Sequence, residues 1–270
     1  MTVNSYLHDL SSLAIIRERE KESIQRSISV LQGRLDQAFG DEISEDFIFG
    51  SYTRGTILPR NMDKRSDIDY MIVFKDSSSR PQTYLDRLRR FVKTYYSRSE
   101  ITQSNPTITL SLNHIRFELV PTINNWWHGL RIPAKRSDFN DWMSTNPNDF
   151  NETLIATNKS NNNLIKPMIR LVKYWNARNK YPFPSFELEK QLADKSYFGV
   201  GGLFRQGQLK DYFFDAIDSL DYYSSDTKYK IDAIDRARIL SNQAKNLLYR
   251  GLDDRSERVI RRLLPPPAHA

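Results

Sequence analysis

The 270 residues include no cysteine. Disulfides and zinc sites built on thiolates are therefore excluded. The four histidines, His8, His114, His128 and His269, have no metal-ligand spacing, so a histidine-based metal centre is not expected. No run of about 18 apolar residues occurs, and nothing in the chain reads as a membrane-spanning helix. Met1–Leu10 lacks the basic and apolar regions of a secretory leader. These absences lead to the expectation of a cytoplasmic protein with no membrane partner. What is present is a 39% hydrophobic and 12% aromatic composition, enough for a sizeable core in one large or two small domains. Net charge is +7, from 40 basic and 33 acidic residues. Lys228–Arg262 holds ten basic and five acidic residues, a local excess of five. Such an excess suits polyphosphate or nucleic acid, or simply a solvated helix face, and does not separate nucleoside triphosphates from RNA.

Hydrophobic periodicity predicts one long helix over Tyr6–Phe39, with Gly40 as its C-cap. Strands are expected at Asp46–Phe49 and Asp69–Phe74, then a helix over Tyr84–Tyr96. Thr107–Leu112 and Ile115–Val120 read as a hairpin that Pro121 ends. Beyond about Ser137 the strand signals vanish. Helices fit Asp149–Thr157, Asn163–Arg178, Ser185–Lys195, Leu209–Leu220, Lys230–Leu252 and Arg255–Leu264, with Asn158–Asn163 a polar loop. No internal repeat is visible. The expected domains are residues 1–136, a mixed α/β core with an N-terminal spine helix, and 137–264, a helical half closing a ligand cleft. A flexible tail, 265–270, follows.

The most informative stretch is 50–69. Gly50-Ser51 follows the apolar run Phe47-Ile48-Phe49, and after a short basic loop Asp67-Ile68-Asp69 opens a second run, Tyr70–Phe74. Residues two apart on a strand share a face, so Asp67 and Asp69 aim their carboxylates together. Paired hard oxygens suit Mg²⁺, which keeps places open for phosphate oxygens. The Gly-Ser turn supplies amides and a hydroxyl for phosphate at a helix start. A third acid, Glu118, lies inside the apolar strand Ile115–Val120, where an acid is costly unless it binds something.

That order resembles the polymerase-β-like nucleotidyltransferase superfamily. Gly50-Ser51-Tyr52-x-Arg54-Gly55-Thr56, together with Leu164–Asn176 and Pro184–Glu189, is similar to the cGAS/DncV-like nucleotidyltransferases, bacterial anti-phage signalling enzymes related to animal cGAS. The resemblance implies an α+β fold: a nucleotidyltransferase core with a mixed sheet, a long N-terminal helix and a helical C-terminal half. It implies catalytic, metal-binding Asp67, Asp69 and Glu118, with two Mg²⁺ ions for which Mn²⁺ substitutes. It also implies phosphate contacts from Gly50, Ser51, Lys173 and Ser185. Glu118 stands where the family usually has Asp, and a zinc insertion like that of cGAS is impossible without cysteine. The implied activity joins nucleoside triphosphates, as donor and acceptor, into a cyclic di- or oligonucleotide second messenger. The implied protein is a monomer for which nucleic acid is not the favoured partner. The alternatives are an RNA-directed transferase of the poly(A) or tRNA type and a catalytically inactive nucleotide-binding module. Tyr52, the Asn158–Asn163 loop and an aromatic between Tyr174 and Tyr197 are candidates for base selection.

Overall fold

A computed structural model describes residues 2–104, 107–125, 129–134, 141–197, 199–200 and 207–267. His128, His269 and the expected 136/137 domain boundary lie outside the described residues. By its contacts the chain forms two compact units. One comprises 17–55 and 65–149; the other comprises 1–16, 56–64 and 150–270.

The first unit is built on a mixed sheet. Its elements are α2 (Glu18–Phe39), β1 (Ile43–Phe49), α3 (Gly50–Arg54), β2 (Asp67–Phe74) and α4 (Pro81–Tyr95). Then come β3 (Glu100–Ser104), β4 (Thr107–Ser111), β5 (Arg116–Asn125), β6 (Gly129–Pro133) and β7 (Trp142–Ser144). Among the described residues the strand order is β1-β2-β5-β4-β3, with β6 pairing β5 and β7. β2 is central: it runs antiparallel to β1 and parallel to β5. That position explains its near-continuous apolar run, buried from Tyr70 to Phe74. α4 starts with Pro81 at its first turn, where a missing N–H costs nothing, and buries Tyr84, Leu85, Leu88, Phe91 and Val92.

Two expectations change here. β5 runs through Pro121 to Asn125. Its last pairing with β4 is at Leu119 and its first with β6 at Ile123, so on that flank Pro121 has no ladder to break. β7 also lies beyond Ser137, where the strand signals vanish; three residues are too few for a periodic pattern.

The second unit is helical. It contains α1 (Val3–Leu13), α5 (Asn151–Ser160), α6 (Ile165–Arg178), α7 (Ser185–Asp194), α8 (Leu209–Ser219), α9 (Lys228–Tyr249) and α10 (Asp253–Leu263). Val3, Leu7 and Leu10 of α1 share one core with Met168, Ile169 and Val172 of α6, Phe213 and Ile217 of α8, and Ile260 of α10. Leu58 and Met62, from the short 56–64 segment, belong to the same core. The single helix expected over Tyr6–Phe39 is therefore two helices broken at residues 14–17. The reason is in the pattern: the apolar positions that begin in α1 end at buried Ile16, the next turns carry Arg17, Glu18 and Lys21, and a new stripe begins at Ile24. The tail is tied further than expected, since the Tyr174 hydroxyl donates to the Pro265 carbonyl at 2.9 Å and Pro267 is buried. Among the described residues no helix is long and apolar enough to cross a membrane.

Candidate active site

Strand pairing positions the acidic residues. In the parallel ladder Asp67 lies opposite Arg116, and Asp69 opposite Glu118. Opposed residues share a face, as do residues two apart, so Asp67, Asp69, Glu118 and Arg116 stand on one side of the sheet. Ile68 and Phe117, between them in sequence, are wholly buried on the other side. Asp67 and Glu118 are each about a quarter exposed, 24% and 26%. Glu118 is thus not sealed in the core as the sequence suggested; it sits at the open end of an otherwise buried strand.

The Gly-Ser turn is fixed against these acids. Phe49 of β1 pairs with Asp69, and α3 begins at the next residue. Gly50 has φ +76°, and a Cβ there would lie 1.9 Å from Asp69 Oδ2. Only glycine lets the backbone come this close. Thr53 closes the short helix by donating its hydroxyl to the Gly50 carbonyl at 2.9 Å, and Gly55 ends it in the left-handed conformation. Ser51, half-buried, stands in the first turn.

Arg116 was not foreseen. One of its guanidinium nitrogens lies 2.7 Å from Asp67 Oδ2 and 3.7 Å from Glu118 Oε1. Its spacing of two from Glu118 on the same strand was the available signal. Among the described residues no three histidine or acidic side chains converge closely enough to hold a metal ion. The donor set still suits a hard cation. Carboxylates on adjacent strands share a partly open face, one is backed by the Gly50 backbone, and a guanidinium is already drawn to two of them.

Lys173 and Ser185 belong to the helical unit. Lys173, on α6, is only 6% exposed, and its Nζ lies 3.3 Å from Glu189 Oε2 on α7. Glu189 is 1% exposed and accepts a second bond from the Thr56 hydroxyl at 2.5 Å. This pair joins α6, α7 and the 56–64 segment. Glu189 sits on the buried stripe of α7 beside Leu188 and Leu192. An acid on an apolar stripe calls for a cation, and that was the signal that sequence reasoning passed over. One and two turns before Lys173 on the same helix, burial pushes Arg170 down to about 10 and lowers Lys166, which Arg170 lowers further. Ser185 is half-buried and opens α7 after Pro184. The Asn158–Asn163 stretch proves to be a helix end and turn: Asn162 and Asn163 have positive φ, and Asn158 Oδ1 accepts from the Lys166 amide at 2.9 Å. Of the base-selection candidates, Tyr52 stands in α3 beside Ser51, and burial raises its pKa.

Over 138 residues the chain is 27% identical to a cyclic AMP-AMP-AMP synthase of Acinetobacter sp. (strain ATCC 27244 / 9458); the match covers 49% of this chain and only 39% of that protein. Among solved structures it is similar to the CD-NTase CdnG of Bradyrhizobium diazoefficiens, in complex with GTP, with TM-score 0.68 at 12% identity, covering 97% of this chain and 98% of that one. It is also similar to CdnC of E. coli MS115-1 with ATP, TM-score 0.67 at 14% identity, covering 96% of each. At such identities these likenesses establish the α+β fold. Residues 1–158 match the Second Messenger Oligonucleotide or Dinucleotide Synthetase domain, and the chain belongs to that family.

Proposed function

We propose that this protein joins nucleoside triphosphates, without a template, into a cyclic di- or oligonucleotide second messenger with release of pyrophosphate. The observation that carries the reading is the shared sheet face of Asp67, Asp69 and Glu118, with the Gly50 backbone pressed against Asp69. In the reaction a ribose hydroxyl of the acceptor attacks the α-phosphorus of the donor. A new P–O bond forms, and the bond to the pyrophosphate leaving group breaks. Asp67 and Asp69 would hold magnesium, with Glu118 completing the donor set. Magnesium, when bound, would acidify the attacking hydroxyl and neutralise charge on the leaving phosphates; two ions are expected, and manganese would substitute. Ser51 and the amides of its turn would hold donor phosphate. Ser185 would add a phosphate contact from the start of α7. Lys173 supports that contact as a positioning residue, because its ammonium fixes Glu189 and therefore α7. The family's signalling character points to a cytoplasmic role in anti-phage defence.

The test is incubation with labelled ATP, GTP, CTP and UTP plus Mg²⁺, then phosphatase treatment and separation of the resistant products. The relative named as a cyclic AMP-AMP-AMP synthase makes ATP alone the first substrate to try. Resistant products are expected with Mg²⁺ or Mn²⁺, and none in EDTA or in the Asp67→Asn, Asp69→Asn double variant. Extension of an added RNA primer with no cyclic product would replace this reading with the RNA-directed one.

A further inference from the structure

We propose that a small cavity among α6, α9 and α10 binds a phosphate-bearing anion, separately from the nucleotidyl-transfer site. The cavity measures about 150 Å³ and lies wholly within the helical unit. Three arginines line it, each from a different helix: Arg178 at the end of α6, Arg236 on α9 and Arg262 on α10. No aspartate or glutamate is among its lining residues. Among the described residues none of the three makes an ion pair or a side-chain hydrogen bond. Two neighbouring arginines on α9 and α10 are, by contrast, satisfied. Arg238 reaches the Leu220 carbonyl and lies 3.6 Å from Asp221. Arg261 donates to Glu257 at 2.5 Å and lies over the Tyr6 ring.

Three guanidiniums lining one cavity with no acid among its lining residues repel one another, and an anion seated there removes that cost. The apolar part of the lining strengthens the effect. Trp175, Leu240 and Leu263 are buried to 1%, 4% and 5% exposure, giving the charges a rigid, low-dielectric backing. Size narrows the ligand. A cavity of about 150 Å³ holds a molecule about the size of benzene. That suits a phosphate or diphosphate group better than a whole nucleoside. The site also faces away from Lys173, since Arg178 lies five residues further along α6, about 140° around the helix. Arg236 and Arg262 thereby give a role to part of the basic excess in Lys228–Arg262.

The test uses the full chain in EDTA, with inorganic pyrophosphate as the probe. Calorimetric titration and thermal melting are measured on wild type and on the R178Q/R236Q/R262Q variant. Wild type is expected to bind pyrophosphate and to melt higher in its presence. In the variant the affinity falls by about tenfold or more, because charge-assisted hydrogen bonds are lost. Without pyrophosphate the variant melts at or above wild type, since repulsion is relieved at three exposed positions. Should the triple variant melt far below wild type, R262Q alone carries the comparison. Equal pyrophosphate affinity in wild type and variant would overturn the proposal. So would binding of single-stranded RNA, lost in the variant, with no binding of pyrophosphate; the surface would then be one for polynucleotide.

Discussion

At position 50 a single methyl group would lie 1.9 Å from a carboxylate oxygen of Asp69, on a backbone whose φ of +76° side chains rarely adopt. Gly50→Ala must therefore move either α3 or Asp69. The expected result is a loss of turnover of about 10²-fold or more, with a stability cost of about 1–3 kcal/mol for the strained residue. Gly33 is the control. It lies inside α2, with nothing within 4 Å of an added Cβ and no positive φ. Gly33→Ala should raise stability by about 0.5–1 kcal/mol and leave turnover alone. Nucleotide turnover and urea unfolding of the two variants decide this, and an active Gly50→Ala would detach the Gly-Ser turn from the chemistry. Glu118 gives a second residue-scale prediction. Glu118→Asp keeps the oxygen donors and should retain substantial turnover, because waters can fill a Mg²⁺ shell. Glu118→Gln removes the charge and should lose about 10²-fold, roughly 2.7 kcal/mol of transition-state stabilisation. Glu118 is a quarter exposed, so neither change should alter folding much. Equal, near-wild-type rates for both variants would place the third acid elsewhere.

Between elements, the buried group that joins α6, α7 and residues 56–64 carries a prediction of its own. Removing the Lys173 ammonium leaves the Glu189 carboxylate, 1% exposed, with its charge uncompensated by that partner. Lys173→Ala should cost about 3–5 kcal/mol of stability, the range for breaking a buried ion pair from one side. Lys173→Ala with Glu189→Ala should cost less than the two single changes added together. A role confined to phosphate binding would instead weaken triphosphate affinity and leave the unfolding curve unmoved. This same group shows where the sequence could be read and where it could not. The strand carrying Asp67 and Asp69 was legible because a central strand must be apolar throughout, so two acids at its mouth stand out. The α5 to α10 helices were legible from their stripes, to within a few residues. Glu189 was hidden because its partners, Thr56 and Lys173, are 133 and 16 residues away. Arg116 was hidden because its meeting with Asp67 depends on a parallel register that no local pattern specifies. The break between α1 and α2 was readable in the lapse of apolar positions between Ile16 and Ile24.

Over the whole chain, sequence order and packing order differ. The helical unit takes its first helix from residues 1–16 and a short segment from 56–64, although most of it lies beyond residue 150. Val3, Leu7 and Leu10 are at most 1% exposed, and the Tyr6 hydroxyl donates to the Leu264 carbonyl at 2.5 Å. At about 1.5–3 kcal/mol for each fully buried aliphatic side chain, those three residues contribute about 4.5–9 kcal/mol. That is of the order of the entire stability of a typical domain, about 5–15 kcal/mol. A fragment cut at the boundary suggested by the strand signals, residues 137–270, lacks α1 and also lacks Leu58 and Met62. It should show no cooperative thermal transition by circular dichroism and should bind hydrophobic dye. Joining residues 2–16 to it through a long flexible linker should restore most of the missing apolar surface, and with it a cooperative melt. Cooperative melting of the bare fragment would mean that α1 is an accessory to the helical core and not a part of it. The substitution Leu7→Ala in the full chain gives the same answer without truncation: a cost of about 2–5 kcal/mol is expected if α1 is structural to that core, and well under 1 kcal/mol if it is not.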